Sequence, residues 1–264
     1  MNGSEQPDDP VLQLDSLTLT MTSNPLVNNL SFRIDAGERV CLIGASGSGK
    51  SLTARAIIGT LPDGCRVRGS LRVYGRDVTN KRALSRPAAS RVAAIFQDSA
   101  TALNPLMPVG KQLTLAGFPT DPLAQADRLN EVGLADVPDL LARFPAGLSG
   151  GQRQRLCLLL ALNSQSRLLI ADEPTTALDV LSQHQVLNAL QARCARPDAP
   201  ALLFITHDIA LAAQLCQRGL VMENGELIET GSMEALLNAP QQPYTRSLVA
   251  AAWRASSVLN REVT

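Results

Sequence analysis

Two stretches of this chain have the residue types and spacing to hold phosphate. Gly44-Ala45-Ser46-Gly47-Ser48-Gly49-Lys50-Ser51 fits G-x-x-x-x-G-K-[ST] at every fixed position. Glycines in such a loop let backbone N–H groups turn onto phosphate oxygens, Lys50 brings a point charge to the β and γ phosphates, and the Ser51 hydroxyl suits Mg²⁺. The second stretch is Leu148-Ser149-Gly150-Gly151-Gln152. Its small residues precede an apolar helix expected to start near Gln152, so their N–H groups and the positive helix end make another anion site. One nucleotide rarely needs both from one chain, and the surplus points to a site closed by two chains.

A third stretch, Leu168-Leu169-Ile170-Ala171-Asp172-Glu173-Pro174, supplies carboxylates. Four apolar residues bury a strand and release the two acids at its C-terminal edge, where ligands of open α/β sheets bind. Asp172 would hold Mg²⁺ through water, and Glu173 fits a general base that orients and activates the attacking water. The alternative for Glu173 is an N-cap on the following helix.

The elements that must carry these residues alternate between strand and helix periods, as a largely parallel, helix-covered sheet requires. Strand patterns at 11–20 and 30–34 predict a small antiparallel sheet, followed by a turn at Ala36-Gly37-Glu38. The apolar run 39–43 suits a buried strand feeding the Gly-rich loop, and 51–61 reads as a helix stopped by Pro62. Further strands are expected at 70–74, 92–96, 168–171, 202–205 and 219–222, the last turning at Asn224-Gly225 into a return strand over 226–230. Between about 98 and 164 the patterns are helical, broken by prolines and without a strand, which predicts a helical lobe inserted between two core strands.

Composition narrows the function classes. The chain has 264 residues, 24 basic and 24 acidic, so it offers no global electrostatic footprint for nucleic acid or an anionic membrane. Its longest apolar run, 156–162, falls far short of the roughly 20 residues a membrane-spanning helix needs. Residues 1–10 are polar and acidic, unlike a secretory signal. Cys41, Cys65, Cys157, Cys194 and Cys216 form no Cys-x-x-Cys pair, and are expected to be reduced thiols of a cytoplasmic protein.

Together the motifs resemble the nucleotide-binding subunits of ABC transporters, whose signature is Leu-Ser-Gly-Gly-Gln. The resemblance implies an α/β fold: a P-loop NTPase (RecA-like) core with a mainly parallel sheet, an N-terminal antiparallel β subdomain and an inserted α-helical subdomain. It implies one domain over 11–254, with a core of about 11–97 and 165–240, a helical lobe of about 98–164 and a C-terminal segment 241–264. ATP and Mg²⁺ are the implied cofactors, with two ATP molecules sandwiched between two chains. Gln97, in Ile95-Phe96-Gln97-Asp98, resembles the glutamine that touches the metal and links core to lobe. Thr176-Ala177-Leu178-Asp179 resembles the D-loop, with Thr176 where serine is commoner. His207, in Ile205-Thr206-His207-Asp208, resembles the switch histidine that contacts the γ-phosphate. By this resemblance Glu173, His207, Gln97 and Lys50 are catalytic. Ser51, Gln97 and Asp172 hold the metal, and Asp179 and Met21 join the two glycine-rich stretches at the nucleotide.

Two further stretches narrow the resemblance to the peptide and nickel importer branch. They are Ala102-Leu103-Asn104-Pro105-Leu106-Met107-Pro108-Val109-Gly110-Lys111-Gln112-Leu113 and Asn238-Ala239-Pro240-Gln241-Gln242-Pro243-Tyr244-Thr245-Arg246-Ser247-Leu248. The second is equally compatible with a turn followed by a surface helix. The implied protein is an ATPase subunit at the cytoplasmic face of the cell membrane, powering uptake of nickel, a metal chelate or a peptide. Its implied partners are a second ATPase subunit, a distinct paralogue or a second copy, and two integral-membrane permease subunits, with an extracytoplasmic binding protein acting indirectly and no nucleic acid. Two departures stand out. The chain lacks the cysteine-bearing extension of longer members, which suggests the shorter nickel-importer type, and Met21 falls where an adenine-stacking aromatic is usual. Methionine lacks π stacking, worth roughly 1–3 kcal/mol per base. Two other readings remain at this point: a soluble ABC protein acting on ribosomes or in DNA repair, and a catalytically silent regulatory cassette. The first usually has two cassettes or a long coiled-coil insertion, and the intact Lys50, Asp172, Glu173 and His207 speak against the second.

Overall fold

Apolar residues at 12 and 14, then at 17 and 19, change phase by one residue, and the strand that carries them must absorb the slip. In the computed structural model, which describes residues 9–96, 102–176 and 179–259, it does so with a bulge. β1 (Leu12–Met21) pairs antiparallel with β2 (Asn24–Ile34), and the register shifts near Ser16, whose φ is 49°. Leu12, Leu14, Leu17 and Leu19 are all buried as a result. Across the same bulge Gly69 is required, because a Cβ there would lie 2.4 Å from the Ser16 carbonyl oxygen.

The chain continues through β3 (Arg39–Ile43), α1 (Lys50–Ile58), β4 (Arg66–Val73), β5 (Arg76–Asp77) and β6 (Ala93–Ile95). Then come α2 (Val109–Leu115), α3 (Pro122–Glu131), α4 (Gly150–Leu162), β7 (Leu168–Asp172) and α5 (Val180–Cys194). It closes with β8 (Ala201–Thr206), α6 (Ile209–Leu215), β9 (Arg218–Glu223), β10 (Glu226–Ser232), α7 (Met233–Asn238) and α8 (Pro243–Leu259). Two compact units result, one from 1–92 with 201–264 and the other from 93–200.

In the first unit an antiparallel sheet has the order β2-β1-β4-β5, and β10, β9, β3 and β8 lie side by side in that order. β3 runs parallel to both β8 and β9, buried on both sides: Val40, Cys41, Leu42 and Ile43 are fully covered. The register Ile43↔Thr206 brings β3 and β8 to the same edge. β9 and β10 form the expected hairpin, with Asn224 and Gly225 at φ 50° and 83° as a two-residue turn of this hand needs.

The second unit pairs β6 parallel with β7 and carries α2 to α5. No strand occurs among its described residues from 102 to 167. Among the described residues no helix is long and apolar enough to cross a membrane.

Some expected boundaries move. α1 ends at Ile58, not at 61, because Gly59 adopts a left-handed φ of 90° and donates its N–H to Arg55 O, closing the helix before Pro62 acts. Buried Arg86 completes that end, donating to the carbonyls of Ala56 and Ile57. α4 starts at Gly150 instead of Gln152, since Ser149 is its N-cap. β2 starts at Asn24 rather than 30 and β4 at Arg66 rather than 70, because edge pairing with β1 extends beyond the apolar cores of these strands.

Candidate nucleotide-binding site

The Gly-rich loop leaves β3 under tight walls. A Cβ on Gly44 would lie 2.3 Å from Met222 O and 2.7 Å from Ser48 Oγ, so only glycine fits. At the far end Gly49 has φ 99°, and a Cβ there would meet Val27 Cγ2 at 2.9 Å and Leu26 O at 3.0 Å. The loop is thus shaped by β9 outside one end and β2 outside the other. Gly225 N–H, at the β9–β10 turn, also donates to Ser48 O at 3.2 Å.

Three features suit the loop to an anion. Gly49 caps α1 without a side-chain cap hydrogen bond, as a glycine must, and sets the helix's positive end directly behind the loop. Lys50, 4% exposed, donates from Nζ to Gly44 O at 2.7 Å and Ala45 O at 2.8 Å, fixing an ammonium inside the loop. Among the described residues Ser48 Oγ has no hydrogen-bond partner although it is buried, which leaves a polar group for a bound molecule or water to satisfy. Ser51 sits half-buried in the first turn of α1.

His207 follows Thr206, so the β3–β8 register carries it to the edge where Gly44 leaves β3. Both its neighbours are tied down. Asp208 N–H donates to Thr206 Oγ1 at 3.0 Å, and the Asp208 carboxylate caps α6 by accepting from Ala210 N–H and Leu211 N–H. Met21 ends β1 opposite Asn24 and is half-buried.

The second unit holds the carboxylates and the second glycine pair. Asp172, 6% exposed, ends β7. Glu173 turns the chain with φ 48°, a left-handed conformation that costs a non-glycine residue about 1–2 kcal/mol. Its carboxylate is held by Thr176, whose hydroxyl donates to Oε2 at 2.8 Å. The N-cap of α5 is Asp179, not Glu173: Asp179 accepts from Ser182 N–H at 3.0 Å and from Ser182 Oγ at 2.7 Å. Ser149 and Gln152 form a capping box on α4, with Ser149 Oγ accepting from Gln152 N–H and Gln152 Oε1 accepting from Ser149 N–H. Ser149 and Gly150 are exposed. Gln97, Ala177 and Leu178 lie outside the described residues.

None of the five cysteines forms a disulfide among the described residues. Cys157 is buried in α4, and burial pushes its thiol up to about 12. It behaves as a small apolar side chain at neutral pH. Among the described residues no three His, Cys, Asp or Glu gather as a metal cluster. A serine hydroxyl and a buried carboxylate are hard oxygen donors, the kind Mg²⁺ takes alongside water and phosphate.

Residues 27–176 match the family model described as ABC transporter. The chain belongs to the ABC transporter family. The probable D,D-dipeptide transport ATP-binding protein DdpD of Escherichia coli strain K12 is 41% identical over 255 residues, covering 91% of this chain and 77% of that protein. The glutathione import ATP-binding protein GsiA of Escherichia coli O1:K1 is 39% identical over 241 residues, and the match spans 85% of this chain but 38% of that longer protein. A solved ATP-binding subunit of an ABC transporter superposes with a TM-score of 0.72 at 25% identity, over 92% of this chain and 99% of the other. A bacterial Atm1-family ABC exporter with ATP bound gives 0.75 at 23% identity, over 94% of this chain and 42% of the other, a likeness of fold alone. This ABC domain is therefore an ATP-binding ATPase of the transport kind, and importer subunits of its class work with membrane permease subunits.

Three residues to which the motifs gave no role at the site touch the site elements of this ABC domain. Gln154, 8% exposed, projects from α4 and donates its amide to Pro174 O, joining the signature helix to the turn after Glu173. Its signal was legible, a glutamine inside the apolar face of a helix. Thr176 was noted only as a departure from serine, whereas its hydroxyl holds the Glu173 carboxylate. Tyr244, half-buried in α8, accepts the Ala45 N–H on its hydroxyl at 2.6 Å, so the Pro-Tyr-Thr-Arg stretch is more than a turn and a surface helix.

Proposed function

We propose that this ABC ATPase powers a peptide importer, hydrolysing Mg²⁺-ATP at two sites that it completes together with a second ATPase chain. In this reading Lys50 and the N–H groups of 44–51 would hold the phosphates, and Ser51, Gln97 and Asp172 would hold Mg²⁺, which would neutralise phosphate charge. Glu173, its carboxylate oriented by the Thr176 hydroxyl, takes a proton from the attacking water, and His207 contacts the γ-phosphate. Ser149, Gly150, Gly151 and Gln152 approach the γ-phosphate held by the partner chain, with Asp179 at the same junction. Met21 lies toward the base.

The observation that carries this reading is the α1 terminus, where a left-handed glycine cap, a fixed ammonium and a buried Ser48 hydroxyl with no hydrogen-bond partner among the described residues surround one loop. A peptide cargo is supported by the relatives, whose names denote small peptides, more than nickel or a metal chelate is. Docking on two permease subunits at the cytoplasmic face is supported by Leu106, Leu115, Leu123 and Phe144, large apolar side chains exposed in the helical second unit. A distinct paralogue as partner ATPase and an extracytoplasmic binding protein complete the assembly.

The testing experiment is steady-state ATP turnover of wild type and Glu173→Gln. Turnover is expected to fall by about 10²–10⁴ while ATP binding persists. Undiminished turnover in the variant would remove Glu173 from its role.

A further inference from the structure

The turn before α8 is built to deliver one side chain. Glu229, on β10, accepts from the backbone N–H of Gln241 at 2.7 Å and of Gln242 at 3.0 Å, which fixes the two residues ahead of the helix. Pro243 then opens α8 with the backbone angle a first helical residue needs. Thr245 and Val249 are buried along its inner face, and α8 packs on α6, the helix that follows His207. Tyr244 is thereby carried to the Gly-rich loop, where its hydroxyl accepts Ala45 N–H. Ala45 is held at both its N–H and its carbonyl, since the carbonyl receives Lys50 Nζ and the Ser48 N–H.

We propose that Tyr244 is a positioning residue for nucleotide: acting through Ala45, it holds the loop 44–51 in the shape that receives phosphate. The inference rests on the reading of that loop as the nucleotide-phosphate site. Tyr244 grips backbone, so its effect does not depend on the side chain at position 45. Without the hydroxyl, Ala45 N–H turns to water, the entry of the loop loosens, and Lys50 loses one of the carbonyls that fix it. A single hydrogen bond of this kind is worth about twofold to tenfold in affinity.

The test measures ATP affinity by calorimetry, ATPase kcat and KM, and the nucleotide-free melting temperature of the full chain. Lys50→Ala checks the underlying reading: it should lose ATP binding, and unaltered binding would bring down the loop assignment and this inference together. Tyr244→Phe should raise Kd and KM about twofold to tenfold, leaving kcat and the nucleotide-free melting temperature near wild type. Wild-type Kd in Tyr244→Phe beside a crippled Lys50→Ala overturns the inference alone. So does a drop in melting temperature with Kd unmoved, which marks a purely structural contact. Should Tyr244→Phe fail to fold, Glu229→Gln carries the test by loosening the turn before α8. A raised KM then supports the proposal and an unchanged one overturns it.

Discussion

The starts of α1 and α4 are both glycine-led helix ends, yet they are prepared in opposite ways. α1 is capped by a left-handed glycine with no side-chain bond, and a fixed lysine follows at once. α4 is capped by its own Ser149 and Gln152 in a reciprocal pair. An end of the first kind keeps its donors for a ligand and gains stability when one arrives. An end of the second kind is stable alone, so an anion reaching it adds to or exchanges with bonds already made. Under the proposed function the first end captures nucleotide and the second senses that a nucleotide has been brought by another chain.

The widest split between the two ends is expected from Ser149→Arg. It places a long cation where phosphate would approach, and turnover should fall at least about 10²–10³-fold, the scale of losing oxyanion-type donors. ATP binding by the isolated chain should stay near wild type. Equal loss of binding would mean that both ends serve the same bound nucleotide. Gly49→Ala attacks the other end through its φ of 99° and its contact with Val27. Strain of about 1–2 kcal/mol should appear as roughly tenfold weaker ATP binding, read by calorimetry. The smallest effect belongs to Ser149→Ala, which should cost about 1 kcal/mol in denaturant unfolding and leave ATP affinity alone. A variant as stable as wild type would show that the capping box contributes nothing and that the two ends differ less than their geometry suggests.

The path from β3 through the loop into α1 was legible because its requirements are local: a buried apolar run, glycines where walls or left-handed angles demand them, then a helix. The same holds for the Asn224-Gly225 hairpin. What escaped was set by distant partners. Tyr244 meets Ala45 across 199 positions of sequence, and no local pattern announces such a bond. Arg86 closes the end of α1 from 29 and 30 residues away, and nothing in its neighbours marks it for that task. The β1 bulge lay between these cases: the phase slip from Leu14 to Leu17 was visible in the sequence, but only pairing with β2 and β4 on either side decides where it is absorbed.

The chain contains a single tryptophan, and α8 carries it. Trp253 stands about two and a half helical turns beyond Tyr244, 62% exposed. A helix whose first turn touches the phosphate loop therefore also carries a lone indole in water. Emission from an indole follows the polarity and motion of its surroundings, and here no second tryptophan overlays the signal. The unlabelled protein accordingly carries its own optical gauge of the loop, a lever with one end at Ala45 and the other in view of a fluorimeter.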